Sequence, residues 1–572
     1  MEGLYEHSDW VLMGLGAFLV AMLVIGWYSS TKINGAEDYL VAGRGLGLFV
    51  LTGTMFATWF GAGTAMGGAG YAYLFGNQGI IFDPWGAAVV LIVVALFFAK
   101  LLRRGRYLTS VDFIQMRYGK AMALVSTIIL VCADVGWLAA IILGGGSILA
   151  YFSGLEMATA VTLVTVIVTA YTLMGGMWAV ALTDVWQMII LLVGMVLLLV
   201  FMLDDIPGGM SALFTNDTAN WSQVNQWDFF PTPAENAVTF EAGTENEYTN
   251  EGFMYYTGLD GWIYFAASIL TIGLGVIPTQ SLMQRFLSAK CEKTGVRAGY
   301  ISGLMYATVG MIPVMVGMIY FKVNPDLSIN DAMNNILMYA SIEYLPPVLT
   351  VLFMIALSAA IMSSADSIIL AIAALIGDNL LKLAKPDANS EQVLKTTRIA
   401  VPVIAGVALV IALKFEAIYN LLVMSAQIAF VGIAMPFIFG FFWKRANQLG
   451  SLAAVVAGIA MWIYGYNHYI PMTSEMNTGV VEDGVVYQEW AMWDAIYMAG
   501  IWGVIASIIA LVTVSLLTQK IDAPKPLLDI DGQPLKTDNF LGLPGFSGSE
   551  ASHASKSSAY NTSKKSEQTK AQ

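Results

Sequence analysis

Long apolar segments separated by short polar ones run along most of the chain. Thirteen of them supply the roughly 20 apolar residues that an α-helix needs to cross a lipid bilayer. Their centres fall near residues 20, 57, 91, 135, 168, 192, 271, 310, 362, 405, 430, 460 and 505. The pattern predicts an all-α polytopic membrane protein with about 13 transmembrane helices, numbered here as spans 1 to 13.

Basic residues are concentrated in alternate loops between these spans. Residues 100–120, 285–297, 382–398 and 444–445 hold most of them, whereas 203–258 and 470–492 contain no Lys or Arg. Positively charged loops remain on the cytoplasmic side of a membrane. The alternation therefore predicts a multi-pass protein of the cell (plasma) membrane with an extracellular N-terminus and a cytoplasmic C-terminus. Only Lys322 and Lys414 then fall on the outer side.

Composition argues against several other classes of protein. The chain is 57% hydrophobic and 12% charged, with a mean hydropathy of +0.69, whereas a soluble domain carries about 25% charged residues. A net charge of −13 argues against a nucleic-acid partner. The two Cys and three His show no disulfide framework or metal-ligand spacing, and no H-E-x-x-H or nucleophile-elbow motif is present. The sequence therefore predicts that the protein is not an enzyme.

The spans and loops divide the chain into six predicted parts. Two of these are runs of five spans, and the C-terminal part is expected to be a disordered cytoplasmic tail, since it is rich in Ser, Ala and Lys from Ser547. The parts are the first span with its loop (1–45), the first five-helix repeat (46–203), an acidic extracellular loop (204–258), the second repeat (259–445), two further spans (446–519) and the tail (520–572).

Spans 2 and 7 are interrupted by small residues or proline. Span 2 contains Gly53, Gly61 and Gly63, and span 7 contains the run 273–280 with two glycines and Pro278. Each is the first span of a five-span run, and broken helices at matching positions of two repeats indicate a binding site near the bilayer midplane. The alternative is close helix packing through small residues.

Span 9 carries a cluster of hydroxyl groups beside an acid. Ser363, Ser364 and Ser367 follow Ala360 along one flank of the helix, and Asp366 lies among them. Hard cations prefer oxygen ligands, and an acid at membrane depth indicates a functional site. The alternative is that each serine bonds to a carbonyl of the preceding turn.

Three further acids fall within predicted spans. Asp184 opens span 6, where it is interpretable as a helix N-cap. Asp134 lies one turn before Trp137 in span 4, and a carboxylate beside an aromatic face suits an organic cation. The alternative for Asp134 is a hydrogen bond to a neighbouring helix. Asp83 precedes Pro84 near the outer end of span 3, where an interfacial position is the alternative to a solute contact.

Four motifs in order resemble those of the sodium/solute symporter family, from about Gly35 to Arg445. They are Asp38–Arg44 before span 2, Tyr171–Gly176 with Thr183-Asp184-Val185 at spans 5 and 6, Gln284-Arg285 after span 7 and Ser363-Ser364 in span 9. The resemblance implies a leucine-transporter-like fold with two inverted five-helix repeats. It also implies Na⁺ bound by the carbonyls of Gly53, Phe56 and Ala360 and the hydroxyls of Ser363 and Ser364. A second sodium would lie near Asp184, completed by Ser363, Asp366 and Ser367.

Within the family, the chain resembles the high-affinity choline transporter branch. Thr58-Trp59, Phe97–Lys100, Asp134–Trp137 and Met362–Ser367 carry this likeness. Thr279 and Leu422 stand where that branch places tryptophans. The solute contacts that the sequence suggests are Trp59, Asp83, Asp134, Trp137, Thr279, Gln280 and Gln427.

The predicted function is sodium-coupled import of a small organic solute by alternating access. The solute is expected to be a choline-like organic cation or a betaine, with an amino acid or a sugar as the alternative. A sensor built on a transporter fold is the rival from another class. The predicted partners are the solute, sodium and the lipid bilayer.

Overall fold

The computed structural model of the chain describes residues 6–543, except 32, 34, 215–226, 228, 232–257, 326, 328, 416, 417, 478–480, 483, 484 and 487. Helices dominate these residues. Two strands of two residues each, β1 (Val481–Glu482) and β2 (Val485–Val486), pair antiparallel between the last two helices. Within the described ranges the protein is an all-α bundle, as predicted.

Nine α-helices form the first half of the chain. Short π-helical segments at 63–67 and 81–86 connect some of them. The helices are α1 (Ser8–Ser30), α2 (Ala36–Val41), α3 (Leu48–Trp59), α4 (Gly68–Gly79), α5 (Ala87–Phe97), α6 (Ala99–Gly105), α7 (Ser110–Arg117), α8 (Lys120–Ser153) and α9 (Met157–Asp205).

Twelve α-helices form the second half, with π-helical segments at 375–380 and 430–434. They are α10 (Gly258–Gly273), α11 (Gln280–Ser288), α12 (Glu292–Thr308), α13 (Met311–Val323), α14 (Ile329–Tyr344), α15 (Pro347–Ala374), α16 (Leu381–Ala384), α17 (Ser390–Ala412), α18 (Ile418–Ala429), α19 (Met435–Phe442), α20 (Gln448–Asn477) and α21 (Gln488–Thr518).

Many of these helices are long and apolar enough to cross a bilayer. Among the described residues nine qualify singly, and eleven if each of two bent pairs counts as one span. The 49-residue α9 would be about 70 Å long if straight, over twice the thickness of a bilayer core. It turns at Gly176, which has φ 52° and ψ −162°, between predicted spans 5 and 6. The total of thirteen spans stays a prediction.

Both helix breaks occur where the glycine pattern predicts them. In span 2, α3 ends at Trp59 and the following helical stretch, 63–79, bends away by 58°. In span 7, α10 ends at Gly273 and α11 begins only at Gln280. Each break removes regular backbone hydrogen bonds from the middle of a span, which leaves carbonyl groups free to bind other partners.

The four basic loops meet at one end of the bundle, which we call the basic face (residues 100–120, 285–297, 382–398 and 444–445). Arg103 Nε donates to the Ala289 carbonyl at 2.8 Å. Arg117 Nη2 donates to the Trp443 carbonyl at 3.0 Å, beside the fourth loop. Asn379 Nδ2, next to the third loop, donates to Asp112 Oδ1 at 3.0 Å. This convergence agrees with the charge alternation of the sequence.

The C-terminal segment differs from the prediction of a disordered tail. Residues 520–543, the C-terminal strap, lie across the basic face. Tyr107 donates its hydroxyl to the Leu528 carbonyl at 2.5 Å, and the Gly542 amide donates to the Leu96 carbonyl at 2.7 Å. Arg106 forms a 2.7 Å ion pair with Asp531. Arginine donors on the basic face thus order a polar segment. The Ser-rich residues from 547 lie outside the described part of the chain.

Candidate ion and solute site

The break in span 2 places a backbone carbonyl against span 9. The Gly61 amide turns back to the Trp59 carbonyl at 2.8 Å, so it does not take the Ala57 carbonyl as a helix would. Ser364 Oγ on α15 donates to that Ala57 carbonyl at 3.0 Å. A Cβ atom at Gly61 would lie 2.5 Å from Ser364 Oγ, so only glycine permits this approach.

The predicted ligands of the first sodium site lie on these two helices. Ser363 Oγ and Ser364 Oγ both contact the Ala360 carbonyl, at 3.0 and 3.1 Å. The Phe56 carbonyl accepts from the Tyr306 hydroxyl at 3.3 Å. Gly53 packs tightly on α9, since a Cβ there would lie 2.7 Å from Val185 Cγ2. The serines therefore bond to the preceding turn, the alternative named above, and Ser364 also bridges two helices.

The second predicted sodium site brings spans 2, 6 and 9 together. Thr54 Oγ1 donates to Asp184 Oδ2 at 2.5 Å, and the Ser363 hydroxyl lies beside the same carboxylate. The N-cap interpretation of Asp184 is wrong, because the helix turns at Gly176, two turns earlier, and Asp184 is fully buried inside it. Its Oδ1 receives no hydrogen bond of standard geometry from the described residues.

Asp366 completes this acidic pair. Its carboxylate is buried, interacts electrostatically with Asp184 and lies beside Ser367. Asp366 Oδ1 also has no hydrogen-bond donor of standard geometry within the described ranges. Two buried carboxylates with unsatisfied oxygens are costly in a low-dielectric interior unless a cation neutralises them. The arrangement therefore suits a small, hard cation.

The aromatic pair predicted for the solute site is formed. Trp59, at the end of α3, and Trp137 on α8 lie edge to face with ring centroids 5.2 Å apart. Asp134 is one turn from Trp137 and 1% exposed. The alternative of a hydrogen bond to a neighbouring helix is not seen, since neither of its carboxylate oxygens has a hydrogen-bond partner among the described residues. The site thus presents aromatic walls and a buried carboxylate without a hydrogen-bond partner in the described part of the chain.

Asp83 lies next to the broken segment of span 2. Thr64 Oγ1 donates to Asp83 Oδ2 at 2.6 Å and also lies 3.0 Å from the Trp59 carbonyl. Asp83 is 4% exposed, so it is buried within the bundle, and both a solute contact and a position near the membrane interface stay predictions. It lies close enough to the break to influence the shape of the solute site.

The remaining predicted solute contacts are engaged elsewhere. Gln280 accepts from the Ser110 amide at 2.8 Å and donates to the Leu108 carbonyl at 3.2 Å, so it fastens α11 to the basic face. Gln427 donates to Thr271 Oγ1 at 2.9 Å, between α18 and α10. Thr279 bonds to the Val276 carbonyl of its own turn. Gln280 is thus occupied at the basic face, whereas Gln427 Oε1 has no hydrogen-bond partner among the described residues, and direct solute contacts by these residues stay a prediction.

Three residues near the site had no predicted role. Thr54 and Ala57 lie on α3, but only the fold shows which of its groups face Asp184 and Ser364. Arg285 was visible in the Gln284-Arg285 motif, yet nothing in the sequence places it near the acids. It is 1% exposed and interacts electrostatically with Asp184, Asp366 and Asp134.

A helical bundle with two broken spans and buried oxygen ligands defines a membrane transporter of the alternating-access class. The family model of the Sodium:solute symporter family matches residues 39–458. The chain belongs to that family. It is a multi-pass membrane protein that couples uptake of a small organic solute to sodium, and the lipid bilayer is its medium.

Similar proteins include two kinds of transporter. High-affinity choline transporter 1 of Caenorhabditis elegans is 28% identical over 508 residues, which cover 83% of this chain and 82% of that protein. The human high affinity choline transporter 1 is 29% identical, with 80% and 77% covered. The sodium/pantothenate symporter of Escherichia coli (strain K12) is 26% identical, with 78% and 89% covered.

A solved structure shows the same fold. A Na⁺-coupled sialic acid symporter in a substrate-bound outward-open state superposes with a TM-score of 0.68 at 20% identity, covering 91% of this chain and 99% of that one. This likeness confirms the leucine-transporter-like fold predicted from the motifs. The match to the Sodium:solute symporter family confirms sodium as the coupling ion.

Proposed function

We propose that this symporter carries a compact organic cation of the choline type. The observation that supports this best is Asp134, a buried carboxylate without a hydrogen-bond partner among the described residues, one turn from the Trp59–Trp137 pair. An alkylammonium gains from aromatic faces when it is desolvated. Its positive charge would also offset the charge of the Asp134 carboxylate, which a neutral solute does not.

We infer two sodium positions from the oxygen atoms of spans 2, 6 and 9. The first uses the carbonyls of Gly53, Phe56 and Ala360 with the hydroxyls of Ser363 and Ser364. The second uses the carboxylates of Asp184 and Asp366 with Ser363 and Ser367. The Thr54 hydroxyl holds Asp184 in place for the second position.

The basic face is cytoplasmic in this proposal, at the plasma membrane, with the N-terminus outside. Positive-inside charge supports this orientation. Each positive charge that enters across 100 mV then gains about 2.3 kcal/mol. One or two sodium ions suffice to concentrate the solute strongly.

A zwitterion, such as a betaine or an amino acid, is the second candidate. Its ammonium would use Asp134, and α11 begins at Gln280, directly after the span 7 break. The positive end of a half-helix dipole at such a break favours a carboxylate. A sugar has no positive charge to pair with the Asp134 carboxylate.

Thermal stabilisation of the purified protein distinguishes these candidates. Choline, glycine betaine, proline and glucose are tested in sodium and then in potassium, since a ligand bound only to the folded state raises stability by mass action. Stabilisation by choline in sodium alone supports the proposal, and by betaine or proline the second candidate. Stabilisation by glucose alone contradicts both.

A further inference from the structure

Arg285 is a buried arginine at the edge of the ion site. It lies on α11, the half-helix that follows the break in span 7, and is 1% exposed. Helix α11 packs against α3 and α15, the two helices that carry the predicted ligands of the first sodium site. The second broken helix therefore carries Arg285 in a segment that packs against both helices of the predicted first sodium site.

Its hydrogen bonds are few for a buried guanidinium. Nη1 donates to the Ser281 carbonyl at 3.0 Å and contacts Gln284 Oε1 at 3.4 Å, both on its own helix. Nε and Nη2 have no acceptor among the described residues. Leaving such donors unsatisfied in a buried site is costly, so local hydrogen bonding does not account for this side chain.

Arg117 shows what a structural arginine looks like in the same molecule. It is 2% exposed, and its three guanidinium nitrogens all donate to backbone carbonyls, those of Gly440, Trp443, Lys444 and Lys525. Arg117 fastens the basic face together. Arg285 fastens no other helix by hydrogen bonds among the described residues.

The charges around Arg285 are all negative carboxylates from other helices. Asp184 on α9, Asp366 on α15 and Asp134 on α8 each interact with it electrostatically. None approaches within the 4 Å of an ion pair in the described ranges. Three carboxylates against one guanidinium leave two negative charges buried in the bilayer region, a state that requires cations or protons.

We propose that Arg285 is a positioning residue that serves as the protein's own mobile counter-charge for the three carboxylates. It offsets part of their charge when the sites are empty and is displaced electrostatically as cations bind. This inference rests on the proposed sodium and solute positions. Arg285 lies on the half-helix after the break in span 7, so cation binding at spans 2, 6 and 9 changes the electrostatic force on that half-helix. Asp134 also interacts with Arg285, so solute binding at Asp134 changes the same force.

The proposal predicts a gain of sodium affinity when the arginine charge is removed. In Arg285→Gln, sodium binding without solute, measured with ²²Na⁺ on the purified full chain at pH 8, should tighten by about tenfold or more, since a repelling unit charge is lost from a low-dielectric site. Arg285→Lys keeps the charge and should stay within about threefold of the parent. Unchanged or weaker binding in folded Arg285→Gln overturns the proposal.

Arg117→Gln is the matched control. It removes an equally buried guanidinium that lies on the basic face and has carbonyl partners. Thermal stability should fall, because these carbonyls lose their donors, while sodium affinity stays unchanged. If Arg117→Gln tightens sodium binding as much as Arg285→Gln does, the effect is not local and the proposal fails.

A second pair of variants, in which Asp134 is also neutralised, tests the proposal if Arg285→Gln alone does not fold. Asp134→Asn removes one negative charge and should weaken sodium binding. The double variant, Asp134→Asn with Arg285→Gln, restores the two excess negative charges and should bind sodium more tightly than Asp134→Asn alone. Equal affinity in those two variants overturns the counter-charge role.

Failure of the proposed sodium positions has a different signature. In that case Ser364→Ala and Asp366→Asn leave sodium binding unchanged, whatever Arg285→Gln does. If those two variants weaken sodium binding but Arg285→Gln has no effect, the sodium positions stand and only the role of Arg285 is wrong.

Discussion

The Thr54 hydroxyl donates a 2.5 Å hydrogen bond to Asp184 Oδ2 and thereby ties the broken span 2 to α9. Both residues are fully buried. A hydroxyl that donates to a carboxylate fixes which oxygen remains available, and here Oδ1 has no hydrogen-bond partner among the described residues. One polar contact between helices thus orients an acid for cation binding.

Replacing Thr54 by valine removes this donor with little change in shape. We expect a loss of about 1–3 kcal/mol in the free energy of unfolding, because a charged acceptor loses its bond. Weaker sodium activation of transport should accompany it. Thr52→Val on the same helix is the control, since the buried Thr52 hydroxyl has no partner among the described residues. Equal sodium activation in both variants would argue against a role for Asp184.

Ser364→Ala tests the first sodium position. The change removes the hydroxyl that bridges α15 to the Ala57 carbonyl, so half-maximal transport should require about tenfold more sodium if one ligand contributes about 1.4 kcal/mol. Ser358→Ala, also buried on α15 and without a partner in the described chain, should leave sodium dependence alone. A parental sodium curve for Ser364→Ala would rule this position out.

Trp137 tests the aromatic wall. Trp137→Ala should lower affinity for an organic cation by about tenfold, since a desolvated cation–π contact contributes up to about 2 kcal/mol. Trp137→Phe keeps an aromatic face and should retain most of the affinity. Binding is measured by sodium-dependent thermal stabilisation with whichever solute stabilises the parent protein in the panel of choline, glycine betaine, proline and glucose. Equal losses in both variants would mean that ring size, not the aromatic face, matters.

Gly176 permits the turn within α9. Its φ of 52° and ψ of −162° fall in a region that essentially only glycine occupies. In Gly176→Ala, the new Cβ would also lie 2.8 Å from the Tyr39 carbonyl oxygen. The free energy of unfolding should fall by at least about 1–3 kcal/mol. Gly16→Ala in α1, where a Cβ meets nothing within 4 Å, should be neutral or stabilising.

The contacts of the C-terminal strap predict that truncation lowers thermal stability only when the strap itself is removed. A chain that ends at Leu543 should keep the parental melting temperature, because the strap contacts to Tyr107, Arg106 and Leu96 remain. A chain that ends at Lys520 should melt at a lower temperature, since each lost hydrogen bond contributes about 1 kcal/mol. Equal melting temperatures for the two chains would show that the strap does not stabilise the basic face.

The sequence by itself determined the class, the fold and the positions of both breaks. These conclusions came from local features: apolar segments of membrane length, alternating basic loops and glycines at matching places. Such features can be interpreted without the tertiary structure because the bilayer restricts helix length and the side on which charged loops lie. Trp59, Trp137 and Asp134 could be grouped because helical spacing and a resemblance both connected them. The N-cap interpretation of Asp184 failed because the turn at Gly176 depends on backbone conformation, which residue type alone does not specify.

Only the tertiary structure decided which groups meet. Gln280 appeared polar and available in span 7, but its amide is occupied at the basic face. Arg285 appeared as a motif residue, but its place among three acids depends on how α11 packs against α3 and α15. Contacts between distant helices are determined by packing and by the cost of leaving buried polar groups unpaired. Both depend on several segments at once, so the sequence of one segment does not predict them.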